Sequence, residues 1–288
     1  MRLVYLGTPA MAVPPLRAIV DAGHDVALVV SQPDKRRGRG GALRPSPVKA
    51  AAVEVGLRVS DRVDDILDLD PPPALGVVVA FGRLIRAHVL ERVPMINLHF
   101  SLLPRWRGAA PVERAILEGD TRSGVAVMAI EETLDTGPIY DEAEVDIGPE
   151  ESADELRARL TAIGTALILG VLDRGLELKR HQRGESTYAR KLEVAELELD
   201  WSRPAAELHR IVRVGGAWTT FRGRRFKVWR ASVEGATRLA PGELDGTAVG
   251  TGHGTLWLID VQPEGKPREA ADDWVRGARL RPGDRLGS

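Results

Sequence analysis

The chain opens MRLVYLGTPAMAVPPLRAIVDAGHDVALVV over residues 1–30, and this stretch decides the fold class. Leu3 to Leu6 is a short apolar run, closed by Gly7 and Pro9. Ala10 to Ala22 places its apolar residues at helical spacing, and Val26 to Val30 is apolar again. Strand, helix and strand in this order form the opening of a βαβ unit. Two more apolar runs, Leu75 to Ala80 and Met95 to Leu98, flank a segment with helical spacing from Leu84 to Arg92. Short, continuously apolar strands alternating with helices predict an α/β parallel sheet covered on both faces. Such sheets hold ligands at the carboxyl ends of their strands.

Working outward, a helix is expected from Pro111 to about Glu118, then strands near Val125 to Ile130 and Ile139 to Val145. A long amphipathic helix follows from Ser152, an N-cap with Glu155 three residues on, to about Gly175. Lys179 to Asp200 is polar and aperiodic and reads as a linker. Beyond Trp201 the texture changes. A helix over Pro204 to Val212 precedes short strands at Phe226 to Ala231, Thr247 to Gly250 and Thr255 to Val261, punctuated by glycine and proline. That pattern predicts a small β-barrel or sandwich. The expected division is a catalytic domain over 1–178, a linker over 179–200 and a β-barrel domain over 201–288.

The 288 residues, 43% of them hydrophobic and 28% charged, suit a soluble globular chain of one large or two ordinary domains. The absence of cysteine excludes disulfides, thiolate metal sites and a cysteine nucleophile. No apolar run approaches the roughly 20 residues of a membrane helix, so no membrane association is expected. The N-terminal apolar run is interrupted too early for a signal peptide.

Asn97 is the only asparagine in the chain. It precedes His99 by two residues, so in a strand both side chains point to one face. Asp135 lies in the polar turn Leu134-Asp135-Thr136-Gly137, after the strand at Val125. If the two strands are neighbours, its carboxylate orients the imidazole and favours the charged form. An amide and an imidazolium then offer two donors to a developing oxyanion, the chemistry of acyl transfer. The plain alternative is an asparagine that satisfies backbone groups at a strand end and an aspartate that shapes a turn. Other signatures are missing: there is no P-loop, no dinucleotide-binding glycine pattern, no His-Glu-x-x-His and no Gly-x-Ser-x-Gly. No metal-ligand spacing occurs, and no metal is expected.

The formal net charge is −1, but the basic residues cluster, and 34 of the 40 are arginine. One cluster is the glycine-rich run Lys35-Arg36-Arg37-Gly38-Arg39-Gly40-Gly41-Ala42-Leu43-Arg44, which reads as a flexible loop. The other spans residues 203 to 230, where Arg203, Arg210, Arg213, Arg222, Arg224, Arg225, Lys227 and Arg230 face the single acid Glu207. Trp218, Phe221, Phe226 and Trp229 interleave with it. Clustered cations among aromatics suit a nucleic-acid backbone; a solvated face over an aromatic core produces the same composition.

Asn97-Leu98-His99 with Ser101-Leu102-Leu103-Pro104 and the downstream Asp135 resembles the folate-dependent formyltransferases. Ser31-Gln32-Pro33-Asp34, Pro45-Ser46-Pro47-Val48-Lys49, Leu199-Asp200-Trp201-Ser202 and Arg281-Pro282-Gly283-Asp284 extend the resemblance over almost the whole chain. It implies a Rossmann-like formyltransferase domain followed by an oligonucleotide-binding-like (OB-like) barrel. It also implies transfer of a formyl group from 10-formyltetrahydrofolate to the α-amine of methionine carried by initiator tRNA. By resemblance, Asn97 and protonated His99 hold the oxyanion, and Asp135 orients His99 and helps move the proton. Phe81, Gly82, Ser101, Leu102, Leu103 and Pro104 are expected to contact the folate. Lys35, Arg36, Arg37, Arg39, Arg44, Arg222, Arg224, Arg225 and Lys227 are expected to contact tRNA. A cytoplasmic monomer is expected. Three departures from the family pattern stand out: Phe100 after His99, the Gly215-Gly216 turn and the short stretch from Ser60 to Pro73. Formyl transfer to a small amine is the runner-up, and an RNA-binding protein with a decayed catalytic domain is the third reading.

Overall fold

The computed structural model describes residues 1–37, 41–235, 239–281 and 283–288. The chain divides into two compact units. The first comprises 1–112, 122–146 and 157–190, and the second 113–121, 147–156 and 191–288.

The N-terminal stretch forms β1 (Arg2–Gly7), α1 (Val13–Asp21) and β2 (Asp25–Val30). A hairpin of β3 (Lys35–Arg37) and β4 (Ala42–Arg44) follows, then α2 (Pro47–Glu54), β5 (Val59–Ser60), β6 (Leu75–Val79), the short α3 (Ala87–Leu90) and β7 (Met95–His99). Next come β8 (Arg107–Gly108), α4 (Pro111–Glu118), β9 (Arg122–Ala129), β10 (Ile139–Asp146), α5 (Ala153–Arg174) and β11 (Tyr188–Ala189).

Seven strands make one sheet in the order β10-β9-β7-β6-β1-β2-β5. β7, β6, β1, β2 and β5 run parallel, whereas β9 is antiparallel to both β7 and β10. The sheet is therefore mostly, not wholly, parallel. Hydrophobic periodicity marks a strand but not its direction, so the two antiparallel pairings carried no sequence signal. β6 is buried along its whole length, and β1 along all but its first residue. That is the burial of central strands with both faces covered. From β1 the chain first adds β2 and β5 on one side, then returns to place β6 and β7 on the other. The order thus reverses between β1 and β6, which makes the carboxyl ends of these strands the topological switch point. Thr8 Oγ1 donates to Phe81 O across that point at 3.0 Å.

Two readings are corrected here. The helix expected over Leu84 to Arg92 is confined to one turn, because Gly82 has a positive φ of 74° and Leu84 stays exposed. The run from Lys35 to Arg44, read as a loop, pairs Lys35 with Arg44 and Arg36 with Leu43. The long helix begins as expected: Ser152 N donates to Glu155 Oε2 at 2.9 Å and Glu155 N to Ser152 Oγ at 3.3 Å.

The second unit holds α6 (Ala205–Val214), β12 (Trp218–Phe221), β13 (Arg224–Glu234), β14 (Leu244–Asp245), β15 (Ala248–Gly250), β16 (Thr255–Pro263), β17 (Glu269–Ala270) and α7 (Ala271–Ala278). Its antiparallel strands run in the order β12-β13-β16-β15-β14, with β17 on β16. Leu286 bridges to Phe221 beside one edge, and Arg285 bridges to Glu243 beside the other. The last residues thereby join the two edges and close the sheet into a barrel, which removes exposed strand edges. Trp201, Leu208, Phe226, Val228, Leu256 and Trp274 fill its core. Trp274 stacks edge-on to Phe221, with ring centroids 5.2 Å apart.

Candidate active site

β7 sets the geometry. Leu98 faces α5, where a side chain at Gly164 would collide with Leu98 and Val125. Alternation along the strand then puts Asn97 and His99 on the opposite face. Their cross-strand partners on β9 are Met128 and Ala126. Leu103 packs on those two residues together with Ile139. The Ser101–Pro104 segment thus folds back over the sheet face that carries Asn97 and His99.

His99 is 5% exposed. Its Nε2 lies 2.9 Å from Trp106 O. A carbonyl only accepts, so Nε2 carries the hydrogen and donates it. Nδ1 faces Asp135 Oδ2 at 3.7 Å. The same Oδ2 accepts the Gly108 backbone N–H at 2.8 Å. Asp135 has φ 52°, and this left-handed turn directs its side chain back toward β7. Asn97 is half-buried, and its amide has no hydrogen-bond partner among the described residues. Of the sequence-predicted trio, His99 is thus held through Nε2 and Asp135 through Oδ2, and the Asn97 amide is left free.

Trp106 and Gly108, the source of two of these contacts, belong to a segment held by Thr187 and by Ala189 of β11. Trp106 N donates to Thr187 Oγ1 at 2.9 Å, Arg107 N to Thr187 O at 2.9 Å and Ala109 N to Ala189 O at 2.8 Å. Gly108 has φ 116°, and a Cβ there would stand 2.8 Å from Ala189 O, so glycine is required. Gln182 adds a side-chain clamp, donating to Asp135 O at 2.8 Å and Gly137 O at 2.9 Å. The polar stretch expected to be a linker thus supplies Gln182, Thr187 and Ala189 to the site.

Sequence reasoning passed over these residues. Backbone donors and acceptors leave no trace in residue type. Gln182 had a signal, since the chain holds only three glutamines, at 32, 182 and 262. Gln32 also serves this unit, donating to Phe81 O at 3.0 Å.

Among the residues expected to contact folate, Phe81 is buried and follows β6, and Gly82 takes a positive φ beside it. Ser101 is buried and donates to Arg105 O at 2.6 Å. Leu102 is half-buried, Leu103 buried, and the Leu103–Pro104 peptide is cis. Phe100 is buried, 6% exposed. A cavity of about 700 Å³ is lined by Leu103, Ile139, Glu142 and the run from Lys179 to Arg183.

The expected tRNA contacts fall in both units. In the first, Lys35 donates to Gln32 Oε1 at 2.8 Å, Arg36 and Arg44 are exposed, and Arg37 lies in β3. Arg39 lies outside the described residues. In the second, Arg224 is exposed, Arg225 lies over the Trp218 ring at 4.2 Å, and Lys227 lies 5.4 Å from the Trp229 ring. Arg222 is occupied. It pairs with Asp284 at 2.6 Å and donates to Ala278 O and Arg279 O. That hydrogen bond raises the Arg222 pKa and lowers that of Asp284.

No group of three or more His, Cys, Asp or Glu suited to a metal ion occurs among the described residues. No helix among them is long and apolar enough to cross a membrane.

Residues 1–172 match the family described as formyl transferase, and residues 191–279 match the formyl transferase C-terminal domain. Fold and site together define an enzyme of the formyl transferase class. A methionyl-tRNA formyltransferase of Solibacter usitatus is 41% identical, over 100% of this chain and 99% of its own. One from Paracoccus denitrificans is 42% identical, over 97% of this chain and 98% of its own. The chain belongs to the methionyl-tRNA formyltransferase family. The fold is also that of an N-formyltransferase from Helicobacter canadensis, solved with folinic acid and dTDP-3-aminofucose. That structure superposes with a TM-score of 0.69 at 17% identity, covering 91% of this chain and 98% of its own.

Proposed function

We propose that the chain transfers the formyl group of 10-formyltetrahydrofolate to the α-amine of methionyl initiator tRNA, giving N-formylmethionyl-tRNA for translation initiation. The observation that carries the chemistry is the free Asn97 amide beside a tethered His99–Asp135 pair. The family carries the substrates.

The amine nitrogen attacks the formyl carbon, and the carbonyl oxygen becomes an oxyanion. Asn97 donates its unpartnered N–H to that oxygen, a preorganised interaction that strengthens as charge develops. With Nε2–H already given to Trp106 O, a protonated His99 acts on the oxyanion through its charge. Asp135 faces the other ring nitrogen and balances the imidazolium. Collapse of the intermediate breaks the bond from carbon to N10, and the proton lost by the amine passes to the departing tetrahydrofolate. No covalent enzyme intermediate is formed.

Folate is assigned to Phe81, Gly82 and the Ser101–Pro104 segment. Two features support the fit: Phe81 and Gly82 sit at the switch point, and Leu103 packs on the sheet face shared with Asn97. The tRNA is assigned to the β3–β4 hairpin with Arg39 and to the barrel cations Arg224, Arg225 and Lys227, with Arg222 among the expected residues. Stacked guanidinium and ammonium groups on tryptophan keep their outer donors available to phosphate. The protein works as a cytoplasmic monomer in this reading, and no metal takes part.

The test is formyl transfer from 10-formyltetrahydrofolate to charged initiator methionyl-tRNA, beside Asn97→Ala. The expected result is efficient transfer that falls about 100-fold or more in kcat in the variant. Transfer to an amino-sugar nucleotide or another small amine instead of tRNA would retain the chemistry and overturn the substrate.

A further inference from the structure

Gln182 lies between α5 and β11 and uses its whole hydrogen-bonding capacity. Nε2 donates to Asp135 O at 2.8 Å and Gly137 O at 2.9 Å. Oε1 accepts from Arg107 Nε at 3.1 Å and Nη2 at 2.6 Å. A guanidinium has no acceptor, so the oxygen must face Arg107 and the NH2 must face the two carbonyls. The four contacts fix a single orientation of the amide.

The two backbone segments joined in this way are the ones that hold the trio. One end is the turn carrying Asp135, at φ 52°. The other is Arg107, flanked by Trp106, whose carbonyl takes His99 Nε2–H, and by Gly108, whose amide binds Asp135 Oδ2. Both anchors of the His99–Asp135 pair are therefore spanned by one side chain.

We propose that Gln182 is a positioning residue for formyl transfer, holding the Asp135 turn and the Trp106–Gly108 segment in the register that sets Asp135 against His99. The inference rests on the proposed reaction. Loss of the clamp lets the Asp135 turn drift, and a displacement of about 1 Å at a reacting centre costs on the order of 100-fold. Substrate surfaces away from the turn are unchanged, so the loss falls on kcat rather than KM.

Two variants test this in the full chain. Gln182→Met removes both donors at similar length. Gln182→Glu keeps the acceptor for Arg107 but turns a carboxylate oxygen toward the two carbonyls. Each is expected to lower single-turnover formyl transfer about 10- to 100-fold, with the KM for both substrates within about twofold. In an Asp135→Asn background the same changes should cost almost nothing further, because both act through one carboxylate. NMR of the Gly108 amide proton gives a readout without substrate. Its downfield, carboxylate-bonded position should be lost in both variants while the thermal midpoint shows a folded chain. Full activity in both variants, losses additive with Asp135→Asn, or an unmoved Gly108 amide would overturn the proposal. A wild-type chain inactive on methionyl-tRNA would overturn the reaction instead, and the Gly108 amide would still report whether Gln182 holds Asp135.

Discussion

His99 and Asp135 face each other across 3.7 Å, Nδ1 to Oδ2, and neither is free to turn away. The ring is tethered through Nε2 to Trp106 O, and the carboxylate through Oδ2 to Gly108 N. Both tethers come from a single tripeptide of backbone. The spacing of the pair thus depends on where residues 106–108 sit, and the close approach of Gly108 to Ala189 O helps to fix that position.

Asp135→Asn tests the charge of this pair without changing its size. With its oxygen in the Oδ2 position the asparagine can still accept Gly108 N–H and still faces His99 Nδ1, but no negative charge balances the ring. We expect kcat to fall about 100-fold or more while folate affinity and the thermal midpoint change little. Steady-state kinetics with both substrates, beside a melting curve, check this. An unchanged kcat would remove Asp135 from the reaction.

Gly164→Ala tests how closely α5 supports β7. The new methyl would lie 2.7 Å from Leu98 Cδ1 and 3.0 Å from Val125 Cγ2, and Leu98 is 2% exposed, with no open space to enter. Overpacking of this kind costs about 1–3 kcal/mol. Because Leu98 separates Asn97 from His99 on the strand, lower stability should be accompanied by lower kcat. Denaturant unfolding and a transfer assay on the same preparation read both.

How far the sequence announced this molecule depends on the kind of signal each part left. Continuous apolar runs marked β1, β2, β6 and β7 because central parallel strands are buried on both faces. α2 left little trace: it is eight residues long, and its buried face is Val48, Ala51 and Ala52, which small residues mark only faintly. The β3–β4 hairpin pairs the basic run Lys35–Arg37 with Ala42, Leu43 and Arg44, all three exposed, so no apolar alternation marks it. In the site, the i, i+2 spacing of Asn97 and His99 and the polar turn at Asp135 were legible as residue types. Trp106 O and Gly108 N were not, since any residue offers the same backbone groups. Gln182 was obscured by the aperiodic stretch around it.

The barrel arginines separate into two roles. Arg222 is bound to Asp284, to two carbonyls and over the Phe221 ring at 4.7 Å, whereas Arg224 is exposed. Arg224→Ala should weaken tRNA binding across all sequences and lower the salt slope of log K by about one unit per lost phosphate contact. Arg222→Ala should lower the thermal midpoint, because Asp284 ties the closing C-terminal residues to β12 and β13. Binding titrations at several salt concentrations, beside melting curves, separate the two. A salt slope unaffected by Arg224→Ala would remove that residue from the phosphate contacts.

His209 gives the second unit a pH dependence with a definite sign. It is buried in α6, with Glu150 Oε2 at 3.1 Å and Arg213 nearby. Burial lowers its pKa from 6.5; Glu150 opposes the shift and Arg213 adds to it. The unfolded chain therefore binds the proton more readily than the folded one. Stability from this group is complete above about pH 6.5 and is lost as the pH falls toward the depressed folded-state value. Unfolding midpoints measured across that window should fall with acidification in the wild type and less steeply in His209→Gln, which cannot take up the proton. Parallel slopes for the two proteins would show that another group governs the acid limb.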